Sequence, residues 1–183
     1  LPIQTGSNKI LKLMNRKHTI DEYLKVFDKL KNINSKIEFS SDFIIGYPGE
    51  DEDEFNHTYN LIKKLKFINS YSFIFSPRPG TPAEKLKLID RDISLKRLKK
   101  IQSLLNKIQI EKNKSLENKL VNVLIENQTK DRTMLFGRTE YMTAVILEGK
   151  KNSVGQTVNA RITNSNQNSL FGKVEEFHNK KVA

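Results

Sequence analysis

Apolar residues recur at helical and strand spacings, in alternation, through the first half of the chain. From Asp21 to Asn34 they fall at Leu24, Phe27 and Leu30, which predicts an amphipathic helix with Thr19 or Asp21 as its N-cap. Ile37 to Ile45 is rich in apolar, β-branched and aromatic residues and predicts a strand. It stops at Gly46-Tyr47-Pro48-Gly49, a turn signal that fits a type II turn with proline then glycine at its centre. Glu50 to Lys66 is helical again, with Phe55, Tyr59, Ile62 and Leu65 on one face. Its first turn is acidic and its last is basic, as the helix dipole favours. Tyr71 to Phe75 predicts a second strand, and Leu1-Pro2-Ile3 has the character of a strand's tail. Strands and helices joined by short loops imply βαβ units and a parallel sheet. Such a sheet is buried on both faces, and these strands are too few for that, so residues 1–90 are expected to be part of a larger α/β sheet.

The pattern then changes. Ser94 to Ser115 predicts a long helix with Leu98, Ile101, Leu104, Leu105 and Ile108 in one stripe and Lys96, Lys99, Lys100 and Lys107 facing outward. Short strands separated by glycines and polar turns follow: Leu120 to Glu126, Met134 to Arg138, Thr143 to Leu147, Thr157 to Thr163 and Ser169 to Val174. So many short strands in so little chain suggest a small antiparallel barrel of the OB type, an architecture that commonly binds single strands or loops of RNA. The expected division is 1–90 as the α/β part, 91–115 as a basic connecting helix, 116–177 as the small barrel and 178–183 as a tail.

Charge sharpens this reading. The net charge is +11, and it is uneven: +2 over residues 1–90, +6 over 91–115 and +3 over 116–183. A concentrated basic excess suits a polyanion, with counterion release contributing to binding, and equally suits a solvated helix face. Between the last α/β strand and the long helix lies Ser76-Pro77-Arg78-Pro79-Gly80-Thr81-Pro82-Ala83. Its prolines fix φ and remove backbone donors, so it is expected to be neither strand nor helix but a stiff loop presenting Arg78.

Other chemistry is excluded or weak. There is no cysteine, so neither a disulfide nor a thiolate-held metal lies within the chain. His18, His57 and His178 lack zinc spacing, and Glu50 to Glu54 lacks the glycine and spaced ligands of a calcium loop. No apolar run approaches the roughly 20 residues that span a bilayer, and no secretory signal is evident, which makes the cytoplasm the default compartment. The opening Leu1-Pro2-Ile3 without methionine suggests processing or a piece of something longer.

Taken in order, the loops read Leu1-Pro2-Ile3-Gln4-Thr5-Gly6-Ser7, Met14-Asn15-Arg16-Lys17-His18-Thr19, Asp42-Phe43-Ile44-Ile45-Gly46-Tyr47-Pro48-Gly49-Glu50 and Ser76 to Ala83. This succession resembles the radical S-adenosylmethionine (SAM) methylthiotransferases. In the second half, Leu135-Phe136-Gly137-Arg138-Thr139, Val158 to Thr163 and Asn168-Ser169-Leu170-Phe171-Gly172 resemble that family's C-terminal TRAM domain. The resemblance covers nearly the whole chain. Proline-arginine-proline at 77–79 is similar to the tRNA-acting branches, where the ribosomal-protein branch typically carries acidic residues. Met14-Asn15-Arg16 and Tyr71-Ser72-Phe73 look closer to the isopentenyladenosine branch than to its threonylcarbamoyladenosine neighbour.

The resemblance implies the second half of a TIM-like radical-SAM barrel followed by an OB-like TRAM barrel. It also implies an enzyme that adds a 2-methylthio group to isopentenyladenosine beside the anticodon, with SAM and two 4Fe–4S clusters as cofactors. One cluster cleaves SAM to a 5′-deoxyadenosyl radical, and the other takes part in sulfur insertion. Without a cysteine this chain holds neither cluster by the family's means, so no catalytic residue is assigned within it and it is expected to be inactive alone. A missing N-terminal half, on the same or a separate polypeptide, would supply the cluster ligands. On the SAM side the resemblance places Gln4, Thr5 and Ser7, Arg16 against the SAM carboxylate, and Gly46, Tyr47, Pro48 and Gly49 near the adenine. Ser7 also fits a helix N-cap, and Arg16 an ordinary surface arginine. For the tRNA anticodon stem-loop it places Arg78 at the barrel mouth, with Lys96, Lys99, Lys100, Lys119, Arg138 and Arg161 on the RNA. Tyr141 and Phe171 fit either base stacking or barrel packing. A non-catalytic RNA-binding remnant and a threonylcarbamoyladenosine tRNA methylthiotransferase stand as the alternatives.

Overall fold

A computed structural model describes residues 2–149 and 153–177, with backbone alone for 176 and 177. Leu1, the tail 178–183 and His178 lie outside the described residues. The chain divides into two compact units, 1–108 and 109–183.

In the first unit, α1 (Asn8–Leu13) and α2 (Ile20–Ile33) precede strand β1 (Asp42–Ile45), helix α3 (Glu52–Leu65) and strand β2 (Tyr71–Ile74). The two strands are parallel, with Asp42 opposite Tyr71 and Ile45 opposite Ile74. Gln4 bridges to Phe43 on the other edge of β1, where Ile44 N donates to Gln4 O at 2.9 Å. One face of this sheet is buried: Ile3, Phe43 and Ile45 pack with Tyr23 and Phe27 of α2, Phe55 and Ile62 of α3, and Phe67. On β2, Tyr71 and Phe73 remain 65% and 54% exposed, so the described strands do not form a doubly covered sheet.

The first strand is shorter than the pattern predicts. Ile37 to Ser41 spends its backbone on loop contacts: Ile37 N donates to Asn34 O, Ile68 N to Phe39 O, and Ser41 N to Ser70 Oγ. Phe39 still enters the core, its ring 4.3 Å from that of Phe27. Helix α3 starts two residues later than predicted because Glu50 closes the preceding turn and Asp51 caps the helix, accepting from Glu54 N at 3.0 Å. The stiff loop also needs correction. Pro82–Lys85 is a 3-10 turn with proline at its start, the one helical position where the missing N–H costs nothing. Gly80 N to Glu84 Oε2 (2.8 Å) and Thr81 Oγ1 to Arg78 O (2.7 Å) stiffen the approach to it.

Helix α4 (Arg91–Lys114) begins three residues before the predicted Ser94 because Asp90 caps it, accepting from Asp92 N at 2.8 Å and Ile93 N at 3.2 Å. Its Ile101, Leu105 and Ile108 complete the first unit's core. In the second unit, strands β3 (Leu120–Gln128), β4 (Leu135–Thr139), β5 (Ala144–Glu148), β6 (Thr157–Ser165) and β7 (Ser169–Phe177) close a barrel in the order β3-β4-β5-β7-β6. The β5–β7 pair is parallel and the others are antiparallel. Alternate residues fill the interior: Val123 and Ile125, Leu135, Val145 and Leu147, Val158, Ala160 and Ile162, and Leu170. Buried Asn113, at the end of α4, donates to the carbonyls of Asn166 and Gln167 at 2.7 and 3.1 Å and so secures the β6–β7 turn.

Candidate cofactor turn and nucleic-acid interface

Burial shapes the first loop. Thr5, Ser7 and Thr58 are fully buried, and none can be left without partners at low cost. Thr58 Oγ1 accepts from Gly6 N at 2.9 Å and shares a hydrogen with Thr5 Oγ1 at 3.0 Å. Ser7 Oγ accepts from Ile10 N at 3.0 Å, capping α1, and donates to Glu54. Glu54 also faces Lys9 Nζ at 3.7 Å, and Lys9 pairs with Asp51 at 2.8 Å. That hydrogen bond is the main reason the Lys9 pKa is raised and that of Asp51 lowered. Gln4, held between these partners and β1, is half-buried and takes φ +73°. A non-glycine residue in the left-handed region is a local strain that surrounding bonds must sustain. Arg16 stands exposed just after α1.

The turn after β1 is built as tightly. Glu50 N donates to Tyr47 O at 2.9 Å, and Gly49 at φ +90° supplies the left-handed second centre of a type II turn. Gly46 takes φ +74°, and a Cβ there would lie 2.5 Å from Ser94 Oγ of α4, so only glycine fits. Tyr47 is buried beneath the turn; its hydroxyl donates to Leu13 O at 3.0 Å and its ring meets Phe75 edge-on at 4.7 Å. Pro48 is buried as well, while Gly49 is exposed. Behind the turn, the buried Glu50 carboxylate accepts from Gly46 N at 3.1 Å and pairs with Arg97 of α4 at 3.0 Å. Desolvation is the main cause holding the Glu50 pKa above its ordinary value, opposed by the Gly46 hydrogen bond and by Arg97.

The basic residues fall into two kinds. Arg78, Lys96, Lys99 and Lys119 are exposed. Lys100 is exposed yet lies over the rings of Phe55 and Tyr59, 5.3 and 5.0 Å from their centroids. On the barrel, Arg138 pairs with Glu126 at 3.2 Å and donates to Met142 O at 3.1 Å. Arg161 is bidentate to Glu175 and donates to Asn118 O at 3.1 Å. Those bonds are the leading cause raising the Arg161 pKa and lowering that of Glu175. Tyr141 and Phe171 are half-buried and lie outside the barrel's buried cluster, with Lys112 Nζ 5.3 Å from the Tyr141 ring.

Sequence reasoning missed Thr58, Glu54, Ser94, Glu50 and Arg97 as parts of this site. Glu50 looked like one more acid of a helix's first turn, and Arg97 like one more cation of a basic helix. Among the described residues no cluster of three or more histidine, cysteine or acidic side chains is placed to hold a metal.

Known protein families match both parts of the chain. The radical SAM superfamily model matches residues 1–62, and the TRAM domain model matches residues 114–174. A protein of Pelagibacter ubique (strain HTCC1062) named tRNA-2-methylthio-N(6)-dimethylallyladenosine synthase is 64% identical over 183 residues, covering 100% of this chain and 41% of the relative. Proteins of the same name from Wolbachia pipientis wMel and Ruthia magnifica are 41% and 45% identical over 175 residues, covering 94% and 95% of the chain and 40% and 39% of the relatives. The chain belongs to the radical SAM methylthiotransferase family. It spans about two fifths of the length of the curated relatives it matches. Within that family the closed barrel of the second unit is the TRAM domain, and α1, α2, β1 and most of α3 fall within the radical SAM match. Full-length members use SAM and iron–sulfur clusters, but the zero cysteines here do not fit a thiolate-held cluster.

Proposed function

We propose that this chain is the C-terminal portion of a tRNA methylthiotransferase that adds a 2-methylthio group to isopentenyladenosine next to the anticodon. The observation that carries the reading is 64% identity along all 183 residues to a relative of that name. Residues 1–90 would form the SAM side, 91–115 the basic connection, 116–177 the TRAM barrel and 178–183 a tail. When bound, SAM would supply the radical chemistry. Of the residues assigned to it, Gln4 and Gly49 fit direct contact, because the exposed Gly49 presents bare backbone and Gln4 is held at the sheet's end. Thr5, Ser7 and Tyr47 would act from behind, since their hydroxyls are engaged within the protein. Gly46 and Pro48 shape the turn, and exposed Arg16 is free to reach the SAM carboxylate.

Exposed Arg78, Lys96, Lys99, Lys100 and Lys119 would each meet phosphates of a tRNA anticodon stem-loop. Arg138 and Arg161 would contribute as held forks whose orientation is set by Glu126 and Glu175. Cluster binding and turnover would need cysteines from another part of the enzyme, so the chain alone is expected to be inactive. A cytoplasmic site of action fits a tRNA substrate, and no helix among the described residues is long and apolar enough to cross a membrane.

Binding of the purified chain to an anticodon stem-loop, compared with an unrelated acidic polymer, tests the RNA reading. Preferential binding whose affinity falls steeply with salt is expected. Equal binding to both polymers, or binding indifferent to salt, would overturn it.

A further inference from the structure

Arg97 and Glu50 form the most deeply buried ion pair among the described residues, with side chains 9% and 0% exposed. Burying such a pair carries a desolvation cost that a well-packed apolar pair avoids, so the geometry it imposes is what needs explaining. Arg97 Nη1 donates both to the Glu50 carbonyl (2.9 Å) and to Glu50 Oε1 (3.0 Å), while Nη2 reaches Glu52 Oε2 at 3.1 Å. The guanidinium lies 5.4 Å from the Phe55 ring centroid. Glu50 Oε1 accepts in turn from Gly46 N at 3.1 Å. One guanidinium therefore secures both ends of the Gly46–Glu50 loop, across 47 residues of sequence. Ser94, one helical turn before Arg97 and on the same face of α4, backs Gly46 so closely that a Cβ there would clash. Two atoms of the pair, Glu50 Oε2 and Arg97 Nε, are buried without a hydrogen-bond partner. A pair optimised for stability would satisfy them; this one is aimed at the turn.

We propose that Arg97 and Glu50 are positioning residues that hold the Gly46–Gly49 turn in its ligand-facing conformation and so set the affinity for the nucleoside end of SAM without contacting it. The inference rests on reading that turn as the cofactor turn, and the test separates the two.

Using the full 183-residue chain, amide exchange is followed by NMR together with a SAM titration read at the Gly49 amide. In Arg97→Met, the Gly46 and Glu50 amides should exchange about tenfold faster while Ile62 and Val123 stay within about threefold of wild type, and SAM should bind about tenfold more weakly. The double variant Arg97→Met/Glu50→Gln should return Gly46 exchange to within about threefold of wild type. The amide oxygen keeps the Gly46 acceptor, and no lone buried charge remains. Arg97→Lys should not restore the turn, because an ammonium lacks the fork that spans Glu50 and Glu52. Unchanged exchange at Gly46 and Glu50 in Arg97→Met, or an unchanged SAM constant, overturns the positioning role. So does equal acceleration of all amides in both the single and the double variant, which marks a contribution to stability alone. A wild-type chain with no SAM-dependent shift at Gly49 overturns the cofactor reading of the turn, and the exchange pattern then stands apart from it.

Discussion

Thr58 shows how a single residue can decide what its neighbours do. Its hydroxyl is the partner of both Gly6 N and Thr5 Oγ1, and all three groups are out of reach of water. Replacing it with valine keeps the volume, leaves the buried Gly6 N–H unpaired and strips the Thr5 hydroxyl to its one remaining bond, from Ser7 N at 3.3 Å, a loss of about 1–3 kcal/mol. Urea unfolding of Thr58→Val should show that loss, and the Gly6 amide should exchange faster than its neighbours. An unchanged midpoint would mean that the loop finds other partners. None of this was legible in Gln4-Thr5-Gly6-Ser7. The short polar residues there fit a ligand site or a helix cap equally, and the partner that decides lies about fifty positions away on α3. What the local sequence did carry was the cap of α2, where Thr19 accepts from Glu22 N and the Glu22 carboxylate accepts from Thr19 N. A capping box needs only residues three apart.

At the scale of elements, periodicity located α2, α3, α4 and all five barrel strands to within a few residues, while the short α1 was signalled only by Ser7 as a possible cap. It erred where backbone groups found partners outside an element. Ile37 to Ser41 has strand character but pairs with loops, and Asp90 started α4 earlier than its apolar stripe suggested. Barrel closure adds a constraint that alternation cannot express. Gly172 of β7 runs so close to β6 that a Cβ would lie 2.2 Å from Arg161 O, a backbone atom that cannot swing aside. Gly172→Ala is therefore expected to cost about 1–3 kcal/mol through strand displacement. The expected readout is a lowered thermal midpoint of the barrel unit, with weakened β6–β7 amide protection. A stability equal to wild type would refute the close approach.

Across the whole molecule, the charge count of +11 was legible but its use was not, because pairing depends on which strands become neighbours. Arg161 and Glu175, fourteen positions apart, meet only because β6 pairs with β7. That pairing sets a pH dependence for the barrel. Glu175 is held below its usual pKa mainly by the Arg161 hydrogen bond, and Asp131 mainly by the Thr129 hydroxyl. Carboxylates of depressed pKa contribute stability that is complete above their unfolded values, 4.5 and 3.8, and is lost as the pH falls through the folded ones. Glu50 works in the opposite sense. Its raised pKa makes its ionised form a cost that grows as the pH rises from 4.5 through the folded value. The urea midpoint of the barrel unit should therefore drop between pH 5 and pH 3, and Glu175→Gln should flatten that drop. An equally steep acid limb in the variant would rule out this pair as its source.

By itself, the sequence determined the element order, the α/β part followed by a small barrel, the family and the absence of cluster ligands. These follow from local periodicity, from motif order and from composition, all of which exist before the chain folds. Only the tertiary structure decided which polar residues stand exposed and which hold the frame. Thr5 and Ser7 turned inward, and Arg97 came to the back of the Gly46–Gly49 turn. Burial and hydrogen-bond pairing are properties of distant segments brought together, so no window of the chain contains them.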